Sequence, residues 1–405
     1  YICADCKKGR SMKLIQEGLE TLSELRTYYD GFLAIASISI LIIGFVMVTS
    51  ASLHLGDKMV SNPFHYPLRQ LIHICLGLGV GAFILTINME FWEKSGQWLF
   101  LLGLILLVMV LIPGVGVKVN GSIRWIQLIG FRVQVSEIVK LFSVIYMAGY
   151  VTRHQEVVKV SAYGIVKPLM LFSLACFLLL LEPDFGSAVV ILTIAMGVMF
   201  LGGARLWQFM ILGVLLVSLA ALLCYFSEYR WARITSFIDP WADPLDKGFQ
   251  LVQALIAFGQ GEWLGVGLGS SIQKLFYLPE AHTDFLFSVI AEELGLVGVV
   301  SVIGLFTVFI WRAFVIGEKA EKAGYLFSAF IAYGLAIWFG FQAFVNIGVN
   351  MGVLPTKGLT LPLMSYGGGS MIVMCAGVAL LFRINMETEK ITSSIPKGKR
   401  EWINV

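Results

Sequence analysis

Long apolar stretches separated by short polar segments dominate the sequence. About ten of them approach the length that an α-helix needs to cross a bilayer, about 20 residues. They lie at approximately 31–53, 69–88, 96–113, 135–152, 165–182, 185–204, 206–227, 284–311, 323–349 and 358–383. Backbone polar groups in lipid must be hydrogen-bonded within the protein, so such spans are expected to be helices. The pattern predicts an all-α integral membrane protein, a polytopic bundle of about ten transmembrane helices.

The longest interruption of this pattern runs from Arg230 to Phe285, between the seventh and eighth spans. It is rich in glycine and also carries Arg233, Asp239 and Asp243. A loop of this length is usually functional, although a solvated connector is the alternative. Because polar residues meet apolar segments at both ends, the sequence favours a site here.

Composition agrees with a membrane protein. Apolar residues make up 58% of the chain and charged residues 14%, whereas soluble domains carry roughly 25% charged residues.

Lysine and arginine are more numerous on the side of the two termini, so both termini are expected to be cytoplasmic and the long loop extracytoplasmic. We therefore expect an N-terminal tail at 1–30, a membrane domain at 31–385 with its large loop at 227–284, and a C-terminal tail at 386–405. Met12 is a candidate natural start, and the lone Cys3–Cys6 spacing does not indicate a metal site.

Charged residues gather before and within the fourth span. Glu137 and Lys140 are three residues apart, so they share one face of a helix and can pair. An ion pair near the mouth of a membrane helix indicates a functional cavity, with a structural pair that locks two helices as the alternative. Arg124 and Trp125 fit an outer interface, where the arginine could meet phosphate or the pair could simply anchor the chain.

Two further polar groups interrupt the later spans. Glu182-Pro183-Asp184 is either a tight outer turn in which Asp184 caps the next helix, or a broken helix. Asp284 stands at the mouth of the eighth span, and Glu292 and Glu293 follow about two turns deeper. The eight-residue step leaves Glu292 near enough to Asp284 around the helix to share a cavity with it.

The entry to the tenth span, Lys357 to Ser370, is broken by proline and glycine, as expected where irregular backbone lines a cavity. From these residues alone, a transporter and an enzyme remain equally possible.

Together these motifs resemble the SEDS family (shape, elongation, division and sporulation) over about residues 28–385. The resemblance rests on Ser50-Ala51-Ser52, Asn62-Pro63-Phe64, Asn120-Gly121, Arg124-Trp125, Ser136-Glu137 with Lys140, Pro183-Asp184, Phe237-Ile238-Asp239-Pro240-Trp241, Gly248-Phe249-Gln250, the block from Leu278 to Glu293, and Ser365-Tyr366-Gly367-Gly368. The match is closer to the cell-division branch than to the rod-shape branch. Three positions depart from the usual pattern: Ile123 replaces arginine, Glu182 replaces glutamine and Gly369 replaces serine.

The resemblance implies a peptidoglycan glycosyltransferase that polymerises lipid II into glycan strands for septal wall synthesis in cell division. The family's catalytic aspartate falls on Asp284, which would act as general base. The candidate substrate-binding residues are Arg124, Glu137, Lys140, Arg230, Arg233, Gln250, His282, Lys357 and Ser365. No metal ligand is indicated and no cofactor is certain, although a divalent cation, magnesium or manganese, could assist the leaving pyrophosphate.

The partners that the resemblance implies are lipid II, which is an undecaprenyl-pyrophosphate-linked substrate, a class B penicillin-binding transpeptidase of the FtsI type, and other membrane proteins of the division machinery. Nucleic acid is not among them. Two other functions remain open: a lipid II flippase, and a scaffold that only recruits the transpeptidase. A flippase needs polar residues that continue to the cytoplasmic side of the bundle, and a scaffold would tolerate loss of Asp284.

Overall fold

The computed structural model describes residues 29–119, 122–128, 131–161, 163–226, 237–244, 248–355 and 358–394. Within these ranges the chain forms twelve helices and one small sheet. In chain order they are α1 (Gly31–Val60), α2 (His65–Thr86), α3 (Met89–Leu111), β1 (Gly116–Val119), β2 (Ser122–Leu128), β3 (Phe131–Gln134), α4 (Val135–Arg153), α5 (Gln155–Val160), α6 (Tyr163–Leu181), α7 (Phe185–Leu201), α8 (Leu206–Tyr225), α9 (Phe249–Gly261), α10 (Leu286–Lys322), α11 (Leu326–Asn350) and α12 (Gly368–Ser394).

The all-α membrane class is confirmed, and a helix is found at each of the ten predicted spans. Eight helices in the described part are long and apolar enough to cross a membrane, and α7 is a shorter apolar helix. The last predicted span is displaced, because α12 begins at Gly368 and not near Gly358. Pro362 and the glycines before α12 account for this difference, since proline lacks the N–H that a helix interior requires.

A three-stranded antiparallel sheet lies between α3 and α4, where the sequence pattern predicted only a connecting segment. The central strand β2 pairs with β1 on one side and with β3 on the other. β3 ends at Gln134, directly before the first residue of α4. The sheet therefore fixes the start of α4, and it presents Arg124 of β2 towards the turn between α6 and α7.

The helices α4 and α11 lie at the centre of the bundle. Most of α4, α11 and α12 is buried within the protein, whereas α2 and α3 keep much of their apolar surface exposed, as lipid-facing helices do. The segment from Gly358 to Gly367 covers the end of this centre and packs tightly on α1. A Cβ atom on Gly44 would lie 2.5 Å from Cα of Met364, so only glycine permits this approach.

The helix α10 is broken at Gly295, whose φ of 62° and ψ of −161° are not helical. Backbone groups freed by the break bond to the segment after α9: Val266 N donates to Glu292 O at 2.9 Å, and Leu296 N donates to Glu262 O at 2.9 Å. Every residue from Leu286 to Glu293 is buried, in contrast to the partly exposed remainder of the helix. The break therefore lets the first turns of α10 lie inside the protein, directly after Asp284.

Candidate functional site

A fully buried ion pair lies at the centre of the bundle. Lys140 Nζ is 2.6 Å from Glu137 Oε1, which confirms the predicted contact on one face of α4. The same ammonium donates to Gln342 Oε1 at 2.9 Å, and it lies 5.6 Å from the centroid of the Trp338 ring. The lysine therefore ties α4 to α11 through a charged and hydrogen-bonded contact. A charge this deeply buried is tolerated because it has such partners.

Three amide side chains extend this polar contact along α11. Gln342, Asn346 and Asn350 are spaced by four residues, so they share one face of the helix. We call these three residues the amide ladder. Gln342 Nε2 donates to Thr360 O at 2.9 Å. Sequence reasoning missed the ladder, although its spacing within an otherwise apolar helix was a visible signal.

The amide ladder holds the main chain at Asp284. Asn346 Nδ2 and Asn350 Nδ2 both donate to Asp284 O, at 2.9 and 3.0 Å. Asn350 Oδ1 accepts bonds from the backbone N and the hydroxyl of Ser288, at 3.1 and 2.7 Å, in the first turn of α10. Two buried amides thus fix the segment that carries the aspartate through its carbonyl.

The carboxylate of Asp284 lies against Gly358. A Cβ atom on that glycine would be 2.9 Å from Asp284 Oδ2, so a larger residue would crowd the carboxylate. Asn346 Nδ2 also donates to Leu359 O at 2.5 Å, and this bond holds the backbone next to Gly358. Asp284 itself is half-buried. The structure therefore presents a partly accessible carboxylate on a rigid support.

Arg124 contacts the turn between α6 and α7. Its Nε donates to Glu182 O at 3.2 Å, a second nitrogen donates to Pro183 O, and a third lies 4.0 Å from Asp184 Oδ1. Asp184 also caps α7, since its Oδ1 accepts from Ser187 N at 3.2 Å. The sequence predicted either a capped turn or a broken helix at residues 182–184, and the structure has the capped turn. The Arg124 guanidinium, which was predicted to meet phosphate, is bonded to this turn.

Glu182 has an unusual environment. Its side chain is fully buried, and neither carboxyl oxygen has a hydrogen-bond partner in the described structure. Burial, together with the nearby charge of Asp184, raises the pKa of this carboxyl to about 8, against the opposing effect of Arg124. The Glu182 side chain is therefore mostly protonated at neutral pH.

Glu292 does not join the Asp284 carboxylate as predicted, because it and its neighbour Glu293 both bind the segment 271–274. Ile272 N donates to Glu292 Oε1 at 2.8 Å, and Lys274 Nζ is 2.7 Å from Glu293 Oε1. The prediction assumed one continuous helix from Asp284, whereas α10 begins two residues later, at Leu286. These buried carboxylates instead anchor the chain that leads to the site.

The other candidate residues are placed as follows. Ser365 is buried and accepts a bond from Leu361 N at 2.9 Å, so its hydroxyl closes a turn. His282 is half-buried among aromatic rings, and burial lowers its pKa. Gln250 lies half-buried in the first turn of α9. Arg230, Arg233 and Lys357 lie outside the described residues.

The described residues contain no group of three or more histidine, cysteine, aspartate or glutamate side chains that could hold a metal ion.

This geometry defines a class of protein. It is a multi-pass helical membrane protein with a buried ion pair, an amide ladder, and a half-buried aspartate at the end of that ladder. Residues 31–390 match the model of the cell cycle protein family that comprises FtsW, RodA and SpoVE. The chain belongs to this family, the SEDS family, and to its FtsW branch.

Similar proteins support this assignment. The chain is 63% identical over 374 residues to the probable peptidoglycan glycosyltransferase FtsW of Methylomonas methanica, which covers 92% of this chain and 96% of that protein. It is 57% identical over 376 residues to the protein of the same name in Methylococcus capsulatus, with 93% and 94% covered.

Solved structures show the same fold. A chain of a peptidoglycan synthase complex that coordinates polymerization and crosslinking is 30% identical, with a TM-score of 0.71 over 89% of this chain and 98% of that one. The rod shape determining protein RodA of Thermus thermophilus is 28% identical, with a TM-score of 0.64 over 88% and 96%.

Proposed function

We propose that this protein is a peptidoglycan glycosyltransferase that polymerises lipid II during cell division, with Asp284 as general base. The observation that carries the proposal is the support of Asp284: two buried asparagines hold its carbonyl, and its carboxylate lies against Gly358. The names of the relatives agree with this activity. A rigid, partly accessible carboxylate is what a base needs in order to meet a substrate hydroxyl in one orientation.

In the proposed step, the acceptor sugar hydroxyl attacks the anomeric carbon of the donor. A new glycosidic C–O bond forms while the bond between that carbon and the pyrophosphate oxygen breaks, and the polyprenyl pyrophosphate leaves with the electron pair. The hydroxyl proton passes to the carboxylate of Asp284. Both substrates are held next to each other, so part of the barrier is removed by positioning alone.

The leaving pyrophosphate requires positive charge. Lys140 is fully buried and paired, so its proposed part is to position α11 and the amide ladder, with Glu137 as its counter-ion. Arg124 would bind phosphate only by exchanging its contacts with the 182–184 turn. We therefore assign the direct phosphate contacts to Arg230, Arg233 and Lys357. A magnesium or manganese ion, if it takes part, would be held chiefly by the phosphate oxygens.

The proposed location is the cytoplasmic membrane at the division septum, with both termini cytoplasmic and Asp284 near the outer face. A class B penicillin-binding transpeptidase is the proposed partner, together with other membrane proteins of the division machinery. The peptidoglycan synthase complex among the similar structures supports an assembly of this kind, because it joins polymerization to crosslinking.

The polar network favours an enzyme over a flippase. It runs from Asp284 along the amide ladder to Lys140. Beyond Lys140, α4 and α11 continue with buried side chains that carry no charge and are mostly apolar, with Ser143 and Ser328 as the buried serines among them. A saccharide crossing between these helices would have to pass this apolar packing.

The test is strand synthesis by the purified full-length protein in lipid nanodiscs, given lipid II with and without a class B transpeptidase. We expect glycan strands that lengthen with time and that lysozyme digests. The same preparation is assayed for lipid II translocation in sealed vesicles. Translocation without strand synthesis, with the transpeptidase bound, would contradict the proposal and favour a flippase.

A further inference from the structure

Three rings from separate parts of the chain meet beside the segment that carries Asp284. They belong to Tyr66 in the first turn of α2, His282 before α10 and Tyr366 before α12. The ring centroids lie 5.3 Å apart for Tyr66 and His282, 5.5 Å for Tyr66 and Tyr366, and 5.4 Å for His282 and Tyr366. We call these three residues the ring cluster. Such separations are those of rings in direct contact.

The ring cluster is held in place by backbone as well as by ring contacts. Tyr366 N donates to His282 O at 3.0 Å, which joins the two segments on either side of the site. His73 on α2 contacts Tyr366 from the inner side, with centroids 6.3 Å apart. All three rings of the cluster remain only half-buried. They therefore combine a fixed arrangement with accessible ring surface.

Two exposed arginines accompany the rings. Arg69 lies three residues after Tyr66 on α2, so both share one face of that helix, and Arg132 lies on β3. Both are close enough to Tyr366 to oppose, by their charge, the rise in its phenol pKa that burial causes. Neither arginine forms an ion pair with another described residue. The edge of the ring cluster thus carries two guanidinium groups, and the charge of Glu280 also acts on the His282 ring.

The position of the cluster relative to Asp284 is set by the chain. His282 precedes Asp284 by two residues, so their Cα atoms are at most about 7 Å apart. A molecule lying on the rings is consequently within reach of the carboxylate. If the rings served only to pack the loops together, neither the accessible ring surface nor the two arginines at their edge would be needed.

We propose that the ring cluster is the platform for the acceptor saccharide, with Arg69 and Arg132 binding an anionic group of the same molecule. A pyranose ring has one face lined by C–H groups that packs on aromatic rings, and hydroxyls at its edge that bond to imidazole, phenol and guanidinium groups. The acceptor is favoured over the donor because the general base must meet the acceptor hydroxyl. This assignment rests on the proposed function and deepens it.

The experiment compares Tyr66→Leu with Tyr66→Phe in the full-length protein, reconstituted in nanodiscs. Leucine removes the ring, whereas phenylalanine keeps it. We expect the Kd for lipid II to rise about tenfold for the leucine variant, the change that about 1.4 kcal/mol of ring packing produces, and to stay within about twofold for phenylalanine. Tyr163→Leu, which removes a tyrosine exposed at the start of α6, is the matched control and should bind normally.

Arg69→Gln distinguishes the source of the anionic group. We expect weaker binding of lipid II and measure the same variant with a lipid-linked disaccharide that lacks the stem peptide. If Arg69→Gln also weakens binding of the ligand without a stem peptide, the arginine binds phosphate. If binding of that ligand is unchanged while binding of lipid II is weaker, the arginine binds a peptide carboxylate. An unchanged Kd for both ligands overturns the role of Arg69.

Binding by Tyr66→Leu equal to wild type, or equal losses for leucine and phenylalanine, would overturn the platform. Thermal unfolding of each variant is measured in parallel, and the phenylalanine variant keeps the test valid if the leucine variant unfolds. Since the readout is binding, it separates this inference from the proposed function. If Tyr66→Leu weakens lipid II binding but the wild-type protein makes no strands, only the proposed function is refuted.

Discussion

Replacing Glu182 by glutamine should stabilise the protein in a way that depends on pH. The carboxyl is fully buried without a hydrogen-bond partner in the described structure, and its pKa is raised from 4.5 to about 8, first by burial and then by Asp184. In the unfolded chain it ionises near its ordinary value. Between these two values the folded state holds one more proton than the unfolded state, so the free energy of unfolding falls as pH rises.

The size of this effect follows from the pKa shift. Each pH unit between 4.5 and about 8 lowers the free energy of unfolding by about 1.4 kcal/mol. At pH 7 the total is about 3 kcal/mol. Glutamine has nearly the same shape and cannot ionise, and it leaves a polar group equally unpaired. Glu182→Gln should therefore gain about 3 kcal/mol at pH 7 and almost nothing near pH 4.5.

The assay is thermal unfolding of the purified protein in detergent from pH 5 to pH 8.5. Wild type should lose stability as pH rises, and Glu182→Gln should show a flatter profile with a midpoint several degrees higher at pH 8. Glu156→Gln, which removes an exposed carboxylate of α5, is the control and should follow the wild-type profile. Identical pH profiles for Glu182→Gln and wild type, or a glutamine variant less stable at pH 7, would refute the reasoning.

Three further outcomes are expected. Asn346→Ala should lower kcat at least tenfold with a smaller change in KM, because it removes one of the two amides that hold the Asp284 carbonyl and the one that also holds Leu359; an unchanged kcat would remove the amide ladder from the mechanism. Lys140→Met should cost about 3–5 kcal/mol of stability by leaving Glu137 buried and unpaired, and the double variant with Glu137→Gln should recover part of it; strictly additive losses would exclude coupling. A cysteine at Asp243 should react with a membrane-impermeant maleimide added outside, whereas labelling only after permeabilisation would invert the topology.

Much of the fold was predictable because apolar length is a strong signal in a membrane protein. Each predicted span holds a helix, and the three-residue spacing of Glu137 and Lys140 was enough to predict their contact. Spacing along one helix determines which side chains are neighbours, so such pairs are readable without a structure.

Other features depend on contacts between distant segments, which a single sequence does not reveal. The break at Gly295 exists because residues after α9 supply hydrogen bonds to the freed backbone. Glu293 is paired with Lys274 through a fold that brings two segments together, and no local pattern marks this. Arg124 was predicted to be available to phosphate, but the small sheet turns it towards the backbone of Pro183.

The identity of the base is the central claim, and Asp284→Asn tests it most directly. The amide keeps the size of the side chain and can still form hydrogen bonds, but it cannot accept the proton. We expect strand synthesis from lipid II to slow by about 10²–10⁴-fold.

The measurement is the initial rate of strand synthesis by purified Asp284→Asn and wild type, each bound to the transpeptidase and at saturating lipid II. Thermal unfolding and transpeptidase binding should match wild type, which separates the loss from misfolding. The account predicts a stable complex with almost no synthesis. A stable Asp284→Asn complex that elongates strands at close to the wild-type rate would contradict it.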